Sequence, residues 1–346
     1  MRLVAAVVQG RFWVADFNRG EEQFMRVLPL VLTAALAVCT VSAASAAEHY
    51  PKKPIRLLTP FSPGGGTDIL SRIIAVPLSK KLGQQIIVDN RPGAGGAIGA
   101  EMVARAEPDG YTLITVSSSY TGTSAYQAPP YDPIDGIAPV ILLGTTGIVL
   151  TVHPSVPAKS IKELIALAKA SPGKLNYASV GPGSVTQFLM ELFKLQTGTD
   201  IVHVPYKGGS PALQATVAGE VQMTAISAVP SRPHIAAGRL RALGVTTSKP
   251  HPLLPDVPPI GATVPGFEVV HWYGIWAPKG TPEAIINLWN KEVAAILHSP
   301  AMVRQMGSEG LDAGGGPPKQ FYDRIKTDIT KWRRVAKEAN IRPGMN

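Results

Sequence analysis

From about residue 50 onward, short apolar runs alternate with stretches whose apolar positions recur every three to four residues. Ile55–Thr59 reads as a strand. Leu70, Ile73, Ile74, Leu78 and Leu82 then fall at helical spacing, with Pro77 expected to kink that helix. Residues 86–88 suit a strand, 97–106 a short helix and 112–116 another strand. Such a β-α-β-α-β order predicts a mostly parallel sheet covered by helices.

A second series of the same kind follows. Residues 147–153 form a long apolar strand that stops at Pro154. Ser160-Ile161-Lys162-Glu163 is a capping box, in which hydroxyl and carboxylate satisfy free N–H groups of the first turn. Strands are expected at 175–178, 201–204, 222–226 and 240–245, and helices at 185–196, 211–218 and near His234. Beyond a proline-rich stretch at 250–265, a strand at 272–277 precedes two amphipathic helices. The first opens at Thr281-Pro282 as cap and first residue; the second spans 319–337. The last block has to return to the first. Two lobes joined by two connections result, a geometry suited to hinge closure over a ligand.

The N-terminal pattern differs. Residues 27–41 are apolar, too short a run to span a bilayer, which needs about 20 residues. Met25-Arg26 precedes the run and Ser42-Ala43-Ala44-Ser45-Ala46-Ala47 follows it. A positive head, an apolar core and small residues make a signal peptide, with cleavage expected near Ala47. Residues 1–24 carry Arg11, Asp16, Arg19, Glu21 and Glu22 and do not fit that signal, so translation is expected to start at Met25. The domain reading is therefore 1–47 as signal segment, 48–148 plus 268–346 as lobe I, and 149–267 as lobe II.

Composition narrows the chemistry. Cys39 is the single cysteine and lies in the apolar segment, which excludes intrachain disulfides and cysteine-ligated metal sites. Val38 stands where a lipoprotein signal wants a small residue, so lipidation of Cys39 is a minor alternative. The net charge of +9 suits attraction of anions as well as a merely basic surface. No long basic block or Cys/His finger spacing suggests nucleic acid. Walker, dinucleotide and nucleophile-elbow motifs are missing, as is H-E-x-x-H. No carboxylate pair has a spacing that demands acid–base work. Asp68 is expected to hold its helix start and Asp109 its turn, while His203 suits a core strand. His271 suits either the core or a cleft.

Three loops share one design: a strand end, small residues, then a helix start. They are Pro60-Phe61-Ser62-Pro63-Gly64-Gly65-Gly66-Thr67-Asp68, Ala178-Ser179-Val180-Gly181-Pro182-Gly183-Ser184 and Pro205-Tyr206-Lys207-Gly208-Gly209-Ser210-Pro211. Ser184 and Gln187 form a further capping box. Glycine lets the backbone approach a guest closely, and the helix start offers N–H groups with a partial positive charge. An anion is the natural guest. One such loop alone is an ordinary turn; three in two β-α series point to a site at the strand ends. Asn90-Arg91-Pro92-Gly93-Ala94-Gly95-Gly96 suits either the same cleft or a plain turn. A charge-assisted hydrogen bond nets about 1.5–3 kcal/mol, whereas micromolar affinity needs about 8 kcal/mol on top of association costs. The loops therefore make sense as halves of one closing site.

At these loops the chain resembles the substrate-binding components of tripartite tricarboxylate transporters, the Bug receptors. The similarity spans nearly all of residues 50–340. Besides the first and the Asn90–Gly96 loops, it rests on Pro108-Asp109-Gly110-Tyr111-Thr112-Leu113, His203-Val204-Pro205-Tyr206-Lys207-Gly208, Pro255-Asp256-Val257-Pro258 and Trp272-Tyr273-Gly274-Ile275-Trp276-Ala277-Pro278. The resemblance implies a two-lobed α/β periplasmic-binding fold of the second type, no catalysis, no cofactor and no metal. It implies a small organic carboxylate as ligand, a membrane permease as partner, a monomer and a periplasmic address.

By position the resemblance points to Ser62, Gly65, Thr67 and Asp68 in one lobe, and Ser179, Gly183, Ser184 and Tyr206 in the other. With Phe61, Gly64, Gly66, Gly181, Lys207 and Gly208 of the same loops, these are the candidate ligand-binding residues. Three departures stand out. Gln187 replaces a frequent His, Pro259 a frequent Thr, and Thr224-Ala225-Ile226-Ser227 lacks a frequent Asp. Without that acid, a ligand ammonium has no partner, so an acid without an amine is expected. A sensor that presents its ligand to a membrane signalling protein would share this chemistry. A LysR-type effector domain would need a helix-turn-helix where the signal stands, and an exported enzyme a constellation that is missing.

Overall fold

The structure, a computed structural model, describes residues 50–341 and 343. The expected signal peptide, the Met25 start and Cys39 lie outside the described residues. From Pro51 onward the chain forms a compact unit of its own.

The first β-α series folds as the pattern predicts. Strands β1 (Ile55–Thr59), β2 (Ile86–Asn90) and β3 (Thr112–Ser117) pair in parallel, with β1 in the middle. Helices α1 (Gly66–Leu82) and α2 (Ala97–Ala104) make the crossovers. Helix α1 runs through Pro77, as the apolar positions on both sides of it predict. Leu70, Ile74 and Leu78 are buried one turn apart and hold the helix on the sheet, while Val76 and Pro77 face outward.

After β3 comes α3 (Ser119–Tyr126), then β4 (Ile137–Val152), a strand of 16 residues and far longer than the expected 147–153. Its first part pairs antiparallel with β9 (Val270–Pro278) and with the short β10 (Asp312–Gly315). From Ile148 it pairs instead with β7 (Met223–Ser227) and β8 (Arg241–Val245). Strand β7 continues in parallel to β5 (Asn176–Ser179), and β5 to β6 (Val202–Pro205). The order is β2-β1-β3-β9-β4-β7-β5-β6. Helices α4 (Ile161–Ala170), α5 (Val185–Thr197), α6 (Gly209–Val217) and α7 (Ala228–Ala236) belong to the second series. The chain passes between the halves along β4 at Gly147 and again at Val269, whose N–H bonds Thr246 O at 2.9 Å. This is a two-lobed α/β fold with two connecting strands.

Each half has its own apolar core. Leu58, Val103, Ile114, Trp272, Trp276 and Phe321 belong to one. Leu150, Tyr177, Phe188, Phe193 and Met223 belong to the other. The C-terminal helices are α8 (Glu283–Leu297), α9 (Pro300–Ser308) and α10 (Pro318–Glu338). Helix α10 serves both cores: Phe321, Ile325 and Ile329 fill the first, Trp332, Val335 and Ala336 the second. Buried Trp272 donates its indole N–H to Asp328 at 2.6 Å, and Arg324 holds the same carboxylate at 3.0 Å.

Local signals are kept in part. Ser160 accepts from Glu163 N, as the capping box predicts, but the Glu163 carboxylate reaches Lys159 N instead of Ser160 N. Thr281 does not cap α8: its hydroxyl donates back to Pro278 O, and Pro282 takes the cap position without a side-chain bond. Among the described residues no helix is long and apolar enough to cross a membrane.

Candidate ligand-binding site

Five helices of this fold begin around one cavity. It is a concave space partly open to solvent, the kind of place where small-molecule sites are found. Gly66 and Thr67 open α1, Ser119 opens α3, and Val185 and Thr186 open α5. Gly209 and Ser210 open α6, and Ser227 caps α7, whose Pro230 also lines the space. Each helix start carries roughly half a positive charge and N–H groups without intrahelical partners. Phe61, Ile148, Val180 and Ile226 supply apolar wall. None of the lining side chains is Lys, Arg, Asp or Glu, so the positive potential comes from backbone rather than from formal charge.

The first loop is shaped by Asp68. This carboxylate is 4 % exposed and accepts from Gly64 N at 3.0 Å, Arg72 Nε at 3.0 Å and Asn90 Nδ2 at 3.0 Å. Burial opposes its ionisation, but the bonds from Arg72, Gly64 and Asn90 outweigh this and hold it below the usual carboxylate range. Gly64 sits at φ 79°, a conformation that favours glycine. Asp68 thus folds the loop back, and Gly65 at the cap position has no side-chain oxygen to offer.

The second loop is held by its own side chains. Ser184 accepts from Gln187 N at 3.4 Å, and Gln187 returns by accepting from Gly183 N at 2.7 Å. Thr186 Oγ1 accepts from Val180 N at 3.0 Å. Ser179 meets His203 Nε2 at 2.6 Å, and the His203 ring stacks on Tyr177. Tyr206 follows, its N–H donating to Ser179 O at 3.0 Å.

Contacts between loops of the two series flank the cavity. Ser62 donates to Lys207 O at 2.9 Å, and Val185 N donates to Ser119 Oγ at 3.3 Å. A Cβ on Gly208 would sit 3.5 Å from Ser62 N, and one on Gly181 3.0 Å from Gly95 N. A side chain on Gly122 would collide with Gly183 O, and one on Gly95 with Pro182 O. Glycine at these points is what lets the loops meet.

Of the residues the sequence nominates, Phe61, Gly64, Gly65, Gly66 and Thr67 line the cavity. Ser62, Asp68, Ser179, Gly181, Gly183, Ser184, Tyr206, Lys207 and Gly208 stand in the same loops, where bonds or close packing between and within loops engage them. Sequence reasoning passed over Ser117, Ser119, Gly209, Ser210, Ser227, Pro230 and Tyr273, which line it too. Helix α3 carried no signal because its residues are mostly polar yet nearly all buried, so no apolar face stands out in the sequence. The third loop did hold Gly209 and Ser210, one and two positions beyond the nominated Gly208.

His271 lines the cavity and lies 2.5 Å from Ser118 Oγ through Nδ1. Burial lowers its pKa to about 3. Burial also lowers that of His203 to about 4, helped by the charge of Lys194. Both are therefore neutral in the native protein and titrate near 6.5 once unfolded. Below that value the unfolded chain binds more protons. The stability these residues contribute is complete above about pH 6.5 and is lost as pH falls toward 3–4, at about 1.4 kcal/mol per pH unit for each. Urea unfolding is expected to show this decline between pH 6.5 and 4.5, and His271→Gln to flatten it. An unchanged slope in that variant would remove His271 from the account.

Comparison with known proteins decides the family. A family model described as the tripartite tricarboxylate transporter family receptor matches residues 70–341. The chain belongs to that family. It is similar to BugT of Bordetella pertussis, at 35 % identity over 89 % of this chain and 95 % of the relative. It is 38 % identical to a UPF0065 protein from the tcbD-tcbE intergenic region of Pseudomonas sp. strain P51, over 89 % and 93 %. Among solved structures, Rpa4515 of R. palustris with adipate aligns at a TM-score of 0.81, with 38 % identity over 84 % of this chain and 98 % of the other. MatC of Rhodopseudomonas palustris with bound malate aligns at 0.79, with 32 % identity over 83 % and 99 %. This is a family of binding receptors, not of enzymes, and the receptor described here is one of them.

Proposed function

We propose that this receptor is exported to the periplasm, captures a small organic carboxylate by closing two lobes, and hands it to a tripartite tricarboxylate-type permease. The observation that carries the reading is the convergence of five helix starts on a cavity without charged side chains. A carboxylate is drawn to such a place because N–H dipoles replace its water without a counter-cation. The apolar wall suits the carbon skeleton between or beside the carboxyl groups. Relatives of known structure are described with adipate and with malate, two dicarboxylates, which supports the same ligand class here.

In this reading residues 1–47 are the export signal, removed near Ala47. Lobe I is 48–148 with 268–346, and lobe II is 149–267. The ligand meets the first glycine loop from one side and the starts of α5 and α6 from the other, with the nominated loop residues forming or bracing the site. The Ser62–Lys207 bond acts as a latch across the closed cleft. Ile226 and Ser227 stand where an acid would be needed to hold an ammonium, so the ligand lacks an amine.

Calorimetry with adipate, malate and succinate, set against aspartate and glutamate, tests this. Binding is expected for at least one amine-free acid and for neither amino acid. Stabilisation by the amino acids alone would sink the reading.

A further inference from the structure

A second, smaller cavity lies directly behind the ligand cavity. Gly66, Ser227, Pro230 and Tyr273 line both, so they form the wall between them. Tyr273 is by far the largest of the four. Its side chain is held on several sides. The hydroxyl lies beside Ser227. His271 meets the ring edge-to-face at 4.7 Å between centroids. The phenol packs so closely on Gly66 that a Cβ there would collide with it. The residue is 3 % exposed, and a neighbouring core fills the space around its strand.

Beyond this wall the surroundings change. Ile69, Leu70, Val229 and Leu311 make the second cavity mainly apolar, with Thr146 and Glu309 as its polar members. No helix start other than that of α1 and the cap of α7 reaches it. Joined to the space that the Tyr273 ring occupies, it suits the end of a hydrocarbon tail, while its acidic side chain opposes a second carboxylate.

We propose that Tyr273 sets the upper length of the ligand by filling the passage from the ligand cavity into this second, apolar cavity. The proposal rests on the carboxylate reading above. It goes further by naming the residue that decides which carboxylates fit. With Tyr273 in place, the carbon chain must end within the first cavity. Without the ring, the two spaces join and a longer tail gains buried surface.

The test is calorimetry on the purified protein with two ligand series, monocarboxylates from butanoate to decanoate and dicarboxylates from succinate to sebacate. In the wild type, affinity is expected to fall beyond a limiting chain length in both. In Tyr273→Ala, and in Tyr273→Val as the more strand-compatible variant, the limit moves to longer chains. Each methylene that reaches the second cavity then raises affinity about fourfold. Monocarboxylates gain more than dicarboxylates, and adding Glu309→Gln recovers the difference. Tyr273→Phe keeps the ring and therefore the limit.

Circular dichroism and a cooperative thermal melt identify the folded variants. An unchanged limit in a folded Ala or Val variant overturns the proposal and leaves the carboxylate reading intact. Failure of every acid to bind the wild type overturns that reading, and this inference with it.

Discussion

Ser210→Asp is expected to lower carboxylate affinity by about a hundredfold or more while raising the melting temperature slightly. Ser210 is the second residue of α6 and faces the cavity, half-buried, opposite the first glycine loop. An aspartate there puts a fixed anion among the helix starts that would otherwise hold the ligand. Like charges brought together in a binding site cost several kcal/mol, which is about two or more decades in affinity. The same carboxylate satisfies N–H groups and the dipole of α6, a gain of about 0.3–1 kcal/mol in stability. Opposite signs in the two readouts separate an electrostatic effect from damage to the fold. Calorimetry and a thermal melt on one sample decide it. Retained affinity would mean that the ligand does not place its negative charge at these helix starts.

Phe188→Ala is expected to cost about 3–5 kcal/mol of folding stability, the usual range for a buried aromatic cut back to alanine. Phe188 is fully buried on α5, and its ring meets Trp332 of α10 at 5.5 Å between centroids. It also lies behind Gly122 of α3, where a Cβ would come within 3.1 Å of the ring. The side chain thus joins the helix that starts at the site to the C-terminal helix that serves both cores. Losing it leaves a cavity that three packed helices cannot easily close. Urea unfolding followed by tryptophan fluorescence reads the loss. A cost below about 1 kcal/mol would show that the helices collapse around the gap.

Much of the fold is legible in the residues. Ile55, Leu57 and Leu58 announce β1, and Leu70, Ile74 and Leu78 announce the inner face of α1, because each element buries one regular set of positions. Elements with no exposed face escape such reading. Helix α3 has the sequence SYTGTSAY and is buried almost throughout, so it carries no amphipathic period. The first half of β4 is interrupted by Gly144 and by shifts in its pairing with β9, which blur a strand pattern. Thr281 shows a local rule yielding to context, whereas Pro77 sits inside a helix as expected. Ile74 and Leu78, buried on either side of Pro77, keep α1 continuous past that proline. The hydroxyl of Thr281 bonds the Pro278 carbonyl rather than its own helix start.

The candidate site divides the same way. The first glycine loop could be named from sequence since Gly64, Gly65, Gly66 and Thr67 are adjacent in the chain, and they do line the cavity. Ser117, Ser119, His271 and Tyr273 come from two strands and a helix start that are neighbours only in the folded sheet. Their wide separation in the chain carries no local signal.

The amino-acid sequence by itself determined the elements, the two β-α series, the glycine-capped helix starts and, through its motifs, the receptor family. Those depend on interactions between residues close in the chain. Tertiary structure alone decided that five helix starts meet at one cavity, that the cavity lacks charged side chains, and that Tyr273 walls it off from a second space. Such features arise from how strands of distant sequence order are laid side by side. Strand order is a choice among packings of the same elements, and only the packed core selects it.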